Sequence, residues 1–186
     1  TSVTATSTGS KATVDTLALN LSGVDMSGVA AIDTDVKTLN VNSSKTASTI
    51  GTTTTSATTI NVSGDAALTL STLTLGAAAG NEVITVTNTA GVTITTALAN
   101  DVTFTGGTGA DSISIANTAK TIDLGAGDDT ATISTTAFSA GGSLNGGAGN
   151  DTLVVTTVAN SNIAGLPHIV GFETLRLEGV ATGGKH

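Results

Sequence analysis

Three short glycine-rich stretches hold the groups whose type and spacing could do chemistry. They are Gly106-Gly107-Thr108-Gly109-Ala110-Asp111-Ser112-Ile113-Ser114, Leu124-Gly125-Ala126-Gly127-Asp128-Asp129-Thr130-Ala131-Thr132 and Gly146-Gly147-Ala148-Gly149-Asn150-Asp151-Thr152-Leu153-Val154. The first and third fit the nonapeptide G-G-x-G-x-D-x-U-x, with U a large apolar residue, at every fixed position. The middle copy has Leu124 in place of the first glycine and Ala131 at U. Glycines let the backbone take positive φ and turn tightly, so successive carbonyl oxygens can point at one spot. Asp111, Asp129 and Asp151 each add a carboxylate there. Hard oxygen donors of this kind suit calcium. The apolar residue two places after the Asp then starts a short strand with its side chain turned inward.

Spacing adds what a single motif lacks. Asp129 follows Asp111 by two nonapeptide units, or one complete coil of two strands and two turns. Their loops are therefore expected to stack. Asp151 follows Asp129 by one such coil plus four further residues, which a longer turn over 135–142 can absorb. The intervening turns, Asn117-Thr118-Ala119-Lys120 and Thr136-Ala137-Phe138-Ser139, lack the motif, so calcium should line one edge only. Three stacked loops would hold two ions, one between the 106–111 and 124–129 loops and one between the 124–129 and 146–151 loops.

The elements that must position these loops are short strands. They are expected to begin near Val83, Val92, Val102, Ser112, Thr121 and Thr130, with Ile84, Val86, Ile94, Phe104, Ile113, Ile115, Ile122, Leu124 and Ile133 facing inward as one core. Upstream, Leu19-Asn20-Leu21-Ser22, Leu39-Asn40-Val41-Asn42 and Ile60-Asn61-Val62-Ser63 recur at nearly equal intervals, each a little longer than two nonapeptides. That recurrence fits coils of a looser β-helix without calcium loops, although a sandwich of antiparallel strands shares the same turn chemistry. Thr85 and Thr87 precede Thr103 and Thr105 by two nonapeptide units, which predicts threonine pairs stacked on an outer face. Gly80-Asn81-Glu82 resembles Gly149-Asn150-Asp151, but its phase puts Glu82, like Asp101, on the opposite edge. After Val155 the repeat lapses. The segment 163–172, followed by Glu173-Thr174-Leu175-Arg176-Leu177, reads as a cap on the open end, and Asp35-Val36-Lys37-Thr38-Leu39-Asn40-Val41 has the same form as Gly171-Phe172-Glu173-Thr174-Leu175-Arg176-Leu177. The chain thus divides into a Thr-rich β-helix-like region (1–82), a roll with calcium loops (83–155) and a C-terminal cap segment (156–186).

Composition narrows the function classes. Aromatic residues are 2% of the chain, which suits thin coils filled by stacked aliphatic side chains rather than a compact globule. A net charge of −8 with six basic residues leaves no electrostatic footprint for nucleic acid. Asp101, Asp111, Asp123, Asp128, Asp129 and Asp151 crowd one third of the chain with only Lys120 to offset them, so folding there is expected to be coupled to metal. No cysteine is present, and no apolar run of about 18 residues encodes a transmembrane helix. Neither His168 nor His186 has zinc-motif spacing, and no nucleophile has a visible base, so an enzyme is not expected. The chain opens without Met or signal peptide and reads as part of a longer protein.

The nonapeptide is a calcium-binding β-helix repeat, and over 106–154 the chain resembles the RTX family of secreted bacterial proteins. The resemblance implies a parallel β-roll, calcium taken up outside the cell after type I secretion, and a ligand set drawn from three loops. The first would supply Gly106, Gly107, Thr108, Gly109 and Asp111. Leu124, Gly125, Ala126, Gly127 and Asp129 form the second set, and Gly146, Gly147, Ala148, Gly149 and Asp151 the third. The Thr-rich strands and the phrase Ile169-Val170-Gly171-Phe172-Glu173-Thr174-Leu175 further resemble the calcium-dependent surface-layer proteins of Gram-negative bacteria, of the Caulobacter and Campylobacter type. The expected protein is all-β, a right-handed parallel β-solenoid (β-helix) running into an RTX β-roll. It is expected to be a structural, extracellular subunit that binds about two calcium ions, self-associates into a lattice, and meets cell-surface polysaccharide through parts outside this chain. Two alternatives share the loops: a repeat segment of a secreted RTX adhesin, and the C-terminal secretion and folding domain of an RTX protease or lipase.

Overall fold

The computed structural model describes residues 2–10, 13–27, 32–34, 36–76, 81–99, 101–116, 119–134, 141–156 and 168–178. Their backbone is extended almost throughout. The strands are β1 (Ser2–Ser10), β2 (Thr13–Ser22), β3 (Asp25–Met26), β4 (Ile32–Thr34), β5 (Thr38–Ser43), β6 (Ser48–Thr55), β7 (Thr59–Gly64), β8 (Leu68–Leu75) and β9 (Val83–Val86). They continue as β10 (Val92–Leu98), β11 (Thr103–Thr105), β12 (Ser112–Ile115), β13 (Thr121–Asp123), β14 (Thr130–Ser134), β15 (Ser143–Asn145), β16 (Thr152–Thr156), β17 (Ile169–Val170) and β18 (Thr174–Leu177). From β4 onward, successive strands alternate between two sheets. One has the order β1-β2-β5-β7-β9-β11-β13-β15-β17, the other β18-β16-β14-β12-β10-β8-β6-β3, with β4 beside β6. The chain is therefore an all-β, right-handed parallel β-solenoid.

Alternation of apolar and polar residues sends every second side chain inward. In β5, Leu39, Val41 and Ser43 are buried while Asn40 and Asn42 face out. Parallel pairing then stacks equivalent residues into columns. In the first sheet, Leu17, Leu39, Ile60, Ile84, Phe104, Ile122, Leu144 and Ile169 lie in register. The second sheet aligns Ile50, Leu70, Ile94, Ile113, Ala131, Leu153 and Leu175. All the inward positions expected from sequence are buried, and each fully buried Leu, Ile or Phe contributes roughly 1.5–3 kcal/mol of transfer free energy. Thr49, Thr69, Thr93, Ser112, Thr130, Thr152 and Thr174 form a hydroxyl column on the outer face of the second sheet.

Registers differ from the sequence reading in places. Leu39 pairs with Leu17, not Leu19, so that coil is two residues longer than the recurrence of the Leu-Asn phrases suggests. Thr105 pairs with Thr85, and Thr103 with Val83, because the coil there exceeds two nonapeptides by two residues. The extra two sit in β10, where Ile94 matches Ile113 but Leu98 matches Ile115. Asp35 lies outside the described residues. The rest of the echo occupies unlike places, since Thr38 starts a strand of the first sheet and Thr174 one of the second. Within 156–186, β17 and β18 add one more rung to both sheets, with Val170, Leu175 and Leu177 exposed. The expectations for residues 135–140, 157–167 and 179–186, and for Gly80, Asn117 and Thr118, lie outside the described residues. The registers nonetheless place the four extra residues of the long coil between Ile133 and Ser143.

Candidate metal centre

Each glycine-rich loop carries the chain from the first sheet to the second: 106–111 joins β11 to β12, 124–129 joins β13 to β14, and 146–151 joins β15 to β16. All three therefore sit on one edge. The pairs Ser112 with Thr130 and Thr130 with Thr152 hold them directly over one another. Loop stacks on loop through the backbone: the Ala126 N–H donates to Gly107 O (2.8 Å), Ala148 N–H to Gly125 O (2.9 Å) and Gly127 N–H to Ala148 O (2.9 Å). Contact this close requires glycine. At Gly147, with φ of 103°, a Cβ would lie 1.9 Å from Gly125 O.

The three aspartates form a continuous ladder inside this edge. Asp111 Oδ1 accepts the Val92 N–H (2.7 Å), Asp129 Oδ1 the Asp111 N–H (2.6 Å), and Asp151 Oδ1 the Asp129 N–H (2.8 Å). Each carboxylate thus reaches back one coil and caps the backbone of its counterpart. The second oxygens differ. Asp111 Oδ2 accepts the Gly107 N–H at 3.4 Å, whereas Asp129 Oδ2 and Asp151 Oδ2 are buried with no hydrogen-bond partner. All three residues are at most 1% exposed.

Burial lifts the Asp129 carboxyl to about 7; the hydrogen bond from Asp111 N–H opposes this, and the charges of Asp111, Asp151 and Asp128 add to it. Burial also raises Asp111, against hydrogen bonds from the Val92 and Gly107 N–H groups.

The remaining loop residues expected as ligands offer backbone. Thr108 and Ala148 are exposed, and Leu124 is fully buried with its side chain in the core. The space beside Gly106 where a side chain would sit is bounded by Leu124 O and Asp111 Oδ2, 1.8 and 2.9 Å from a Cβ built there. Gly109, Gly125, Ala126, Gly127, Gly146 and Gly149 line the same stack, and Ala126 and Ala148 bridge directly. Gly107 O, Gly125 O and Ala148 O each already accept one N–H, leaving one lone pair apiece.

Among the described residues, coils before Val92 bury only neutral groups at the same turn; the Asp65 carboxylate there, bonded to the previous coil, is exposed and accepts the Lys45 N–H at 2.9 Å. Asn88 is fully buried, its Nδ2 donating to Ala66 O (2.8 Å) and Ser63 O (3.4 Å) while its Oδ1 accepts the Ala90 N–H (2.8 Å). Ser43 Oγ donates to Ala67 O at 3.1 Å, and Ser48 Oγ accepts the Val24 N–H at 3.2 Å. At the far end of the ladder, the Asp151 N–H donates to Glu173 Oε2 at 2.8 Å. Sequence reasoning missed Val92, Asn88 and Glu173. For Glu173 a signal existed, since it follows Asp151 by the same interval that separates Asp151 from Asp129.

Outside the stack, Asp128 Oδ1 accepts the Asn150 N–H (2.9 Å), and Asp123 Oδ1 those of Gly125 (3.2 Å) and the Asn145 amide (3.3 Å). Glu82 lies on the opposite edge, 4% exposed with Oε2 unpartnered, and Asp101 is half-buried on that same edge. His168 is exposed.

The donor set fits a hard divalent cation. Two buried carboxylate oxygens lack partners, carbonyls crowd the same edge, and no thiolate or imidazole is among them. Among the described residues no group of three or more His, Cys, Asp or Glu side chains gathers as a metal centre. The loops instead bring one carboxylate per coil together with backbone oxygens. No described helix is long and apolar enough to cross a membrane. Neither a family model nor a curated protein matches the chain.

Proposed function

We propose that this chain is a calcium-dependent structural subunit of a bacterial surface layer. The observation that carries the metal half of this reading is the aspartate ladder with its unpartnered buried oxygens on Asp129 and Asp151. Asp111, Asp129 and Asp151, with carbonyls of the glycine loops, would hold the ions. Bound calcium supplies positive charge to carboxylates that burial otherwise disfavours, and it crosslinks adjacent coils. This chain's own residues orient the carboxylates by backbone hydrogen bonds, and the leucine and isoleucine columns fix the coil spacing.

The lattice half is supported by the outer faces. A column of hydroxyls from Thr49 to Thr174 runs from β6 to β18 on the second sheet, and paired Asn40 and Asn61 (2.8 Å) lie on the first. Such faces offer many weak, directional contacts suited to ordered packing of identical molecules outside the cell. The solenoid rigidified by calcium presents them in fixed geometry.

Light scattering of the purified chain during a calcium titration tests both halves, from zero to a few times about 10⁻³ M, the weak end for extracellular sites. Growth into large ordered particles, reversed by chelator, is the expected result. A calcium-binding chain that stays a compact monomer would overturn the lattice half in favour of an adhesin segment or an enzyme's secretion and folding domain.

A further inference from the structure

The aspartate ladder does not end with the third glycine loop. Glu173 Oε2 accepts the Asp151 N–H at 2.8 Å, as Asp151 Oδ1 accepts that of Asp129 at the same distance. The backbone past Glu173 follows suit. Thr174 N–H donates to Asp151 O (3.0 Å), just as Thr152 N–H donates to Asp129 O (2.8 Å) and Thr130 N–H to Asp111 O (2.8 Å). On the entering side, Gly146 N–H donates to Val170 O (2.9 Å), the relation that Leu124 N–H has to Asn145 O (3.0 Å). Gly171 therefore stands where each loop has its first residue, and Glu173 where each has its aspartate.

This rung lacks the middle of the nonapeptide. Two steps lead from Gly171 to Glu173, against five from Gly146 to Asp151. Gly171 turns in the left-handed region at φ of 71°, and Phe172 packs against the core in place of the missing residues. Glutamate carries one methylene more than aspartate, so its carboxylate reaches the ladder from a shorter turn.

Asp151 is 0% exposed, and its Oδ2 has no partner. That oxygen is near the last rung: a Cβ built on Gly146 would lie 2.8 Å from Asp151 Oδ2 and 1.8 Å from Gly171 O. The same pairing occurs two loops earlier, where Gly106 faces Asp111 Oδ2 and Leu124 O. A buried, unpartnered carboxyl oxygen beside a carbonyl, with a second carboxylate on the neighbouring rung, suits a cation.

We propose that Gly171-Phe172-Glu173 closes a third calcium site at the C-terminal end of the stack, with Asp151, Gly171 O and Glu173 as its oxygen donors. The ladder then has three ions, one above each aspartate, instead of the two enclosed by the glycine loops alone. This inference rests on the calcium reading above and extends it to a rung with no glycine-rich motif.

The test counts calcium ions per chain by native mass spectrometry and isothermal titration of the full chain after chelator treatment. Wild type should bind three ions. Glu173→Gln keeps an acceptor for the Asp151 N–H but removes the charge, and it should bind two, with the others changed less than about twofold. Glu173→Asp, which keeps the charge and shortens the arm, should retain the third ion at least about tenfold more weakly. Circular dichroism should report the same strand content for all three chains. A wild-type chain with two ions, or a Glu173→Gln chain with three, would overturn the third site while leaving the calcium reading intact. No bound calcium at all would overturn both.

Discussion

The Asp129 carboxylate accepts the backbone N–H of Asp111 at 2.6 Å, so one side chain ties together coils whose equivalent residues are two nonapeptide units apart. Its other oxygen is buried without a partner. The carboxylate thus has a structural half, which needs only an acceptor, and a charged half, which needs a cation. Asp129→Asn separates them. In chelator at about pH 8, above the raised carboxyl value, the variant should melt higher than wild type because a buried charge is gone. Calcium binding should weaken at least about tenfold, since one ligand charge is lost. Melting curves with and without calcium check both arms. A metal-free variant that melts lower would mean the charge is already compensated within the fold.

Acidity should act on the metal-free chain in an unusual direction. Below the ordinary value of 3.8, Asp129 is protonated folded and unfolded alike. From there to about 7, the folded chain keeps a proton that the unfolded chain releases, so this residue's contribution to stability declines across that window and levels off above about 7. Calcium competes with that proton, and its affinity should fall about tenfold per pH unit below 7 if one proton is displaced. Melting in chelator and calcium titrations between about pH 5 and about pH 8 would reveal either trend.

Gly147 tests loop stacking apart from metal. Its φ of 103° and the 1.9 Å approach of a built Cβ to Gly125 O leave no room for a side chain. Gly147→Ala should lower stability by about 1–3 kcal/mol or more in chelator as well as in calcium. Denaturant unfolding in chelator is the measurement. An effect confined to calcium buffer would show that the loops stack only around the ion.

Phe104 is fully buried between Ile84 and Ile122 in one column. Phe104→Ala should destabilise by about 3–5 kcal/mol, whereas Thr105→Ala on the exposed face should stay within about 0.5 kcal/mol. Urea unfolding of the two variants in calcium compares them directly. Similar losses at both positions would contradict the inward and outward assignment.

Hydrogen exchange should show where metal dependence begins. Turns up to Asn88 are closed inside by Asn and Ser side chains, with the Asp65 carboxylate exposed, whereas those from 106 onward are closed by buried carboxylates. Amides in β5 to β8 should be protected with or without calcium. Those in β12, β14 and β16 should gain at least about tenfold protection on its addition.

Much of this architecture was legible because its causes are local. Period-two alternation identified the inward residues from Ile84 to Ile133, and paired glycines identified turns tight enough for stacking. Register was harder. A slip of two residues keeps every side chain on its face, so Leu19 looked as good a partner for Leu39 as Leu17, the true one. The irregular pairing in β10 shifted the threonine pairs by the same amount. Asn88 and Glu173 could not be found by motif, because their roles depend on which backbone groups adjacent coils bring to them.

Among the described residues, only one pairing along the first sheet breaks the common direction: β1 runs antiparallel to β2. The two edges of this sheet therefore differ in polarity: a strand laid beside β17 along the shared direction pairs in parallel, whereas one laid beside β1 along that direction pairs antiparallel.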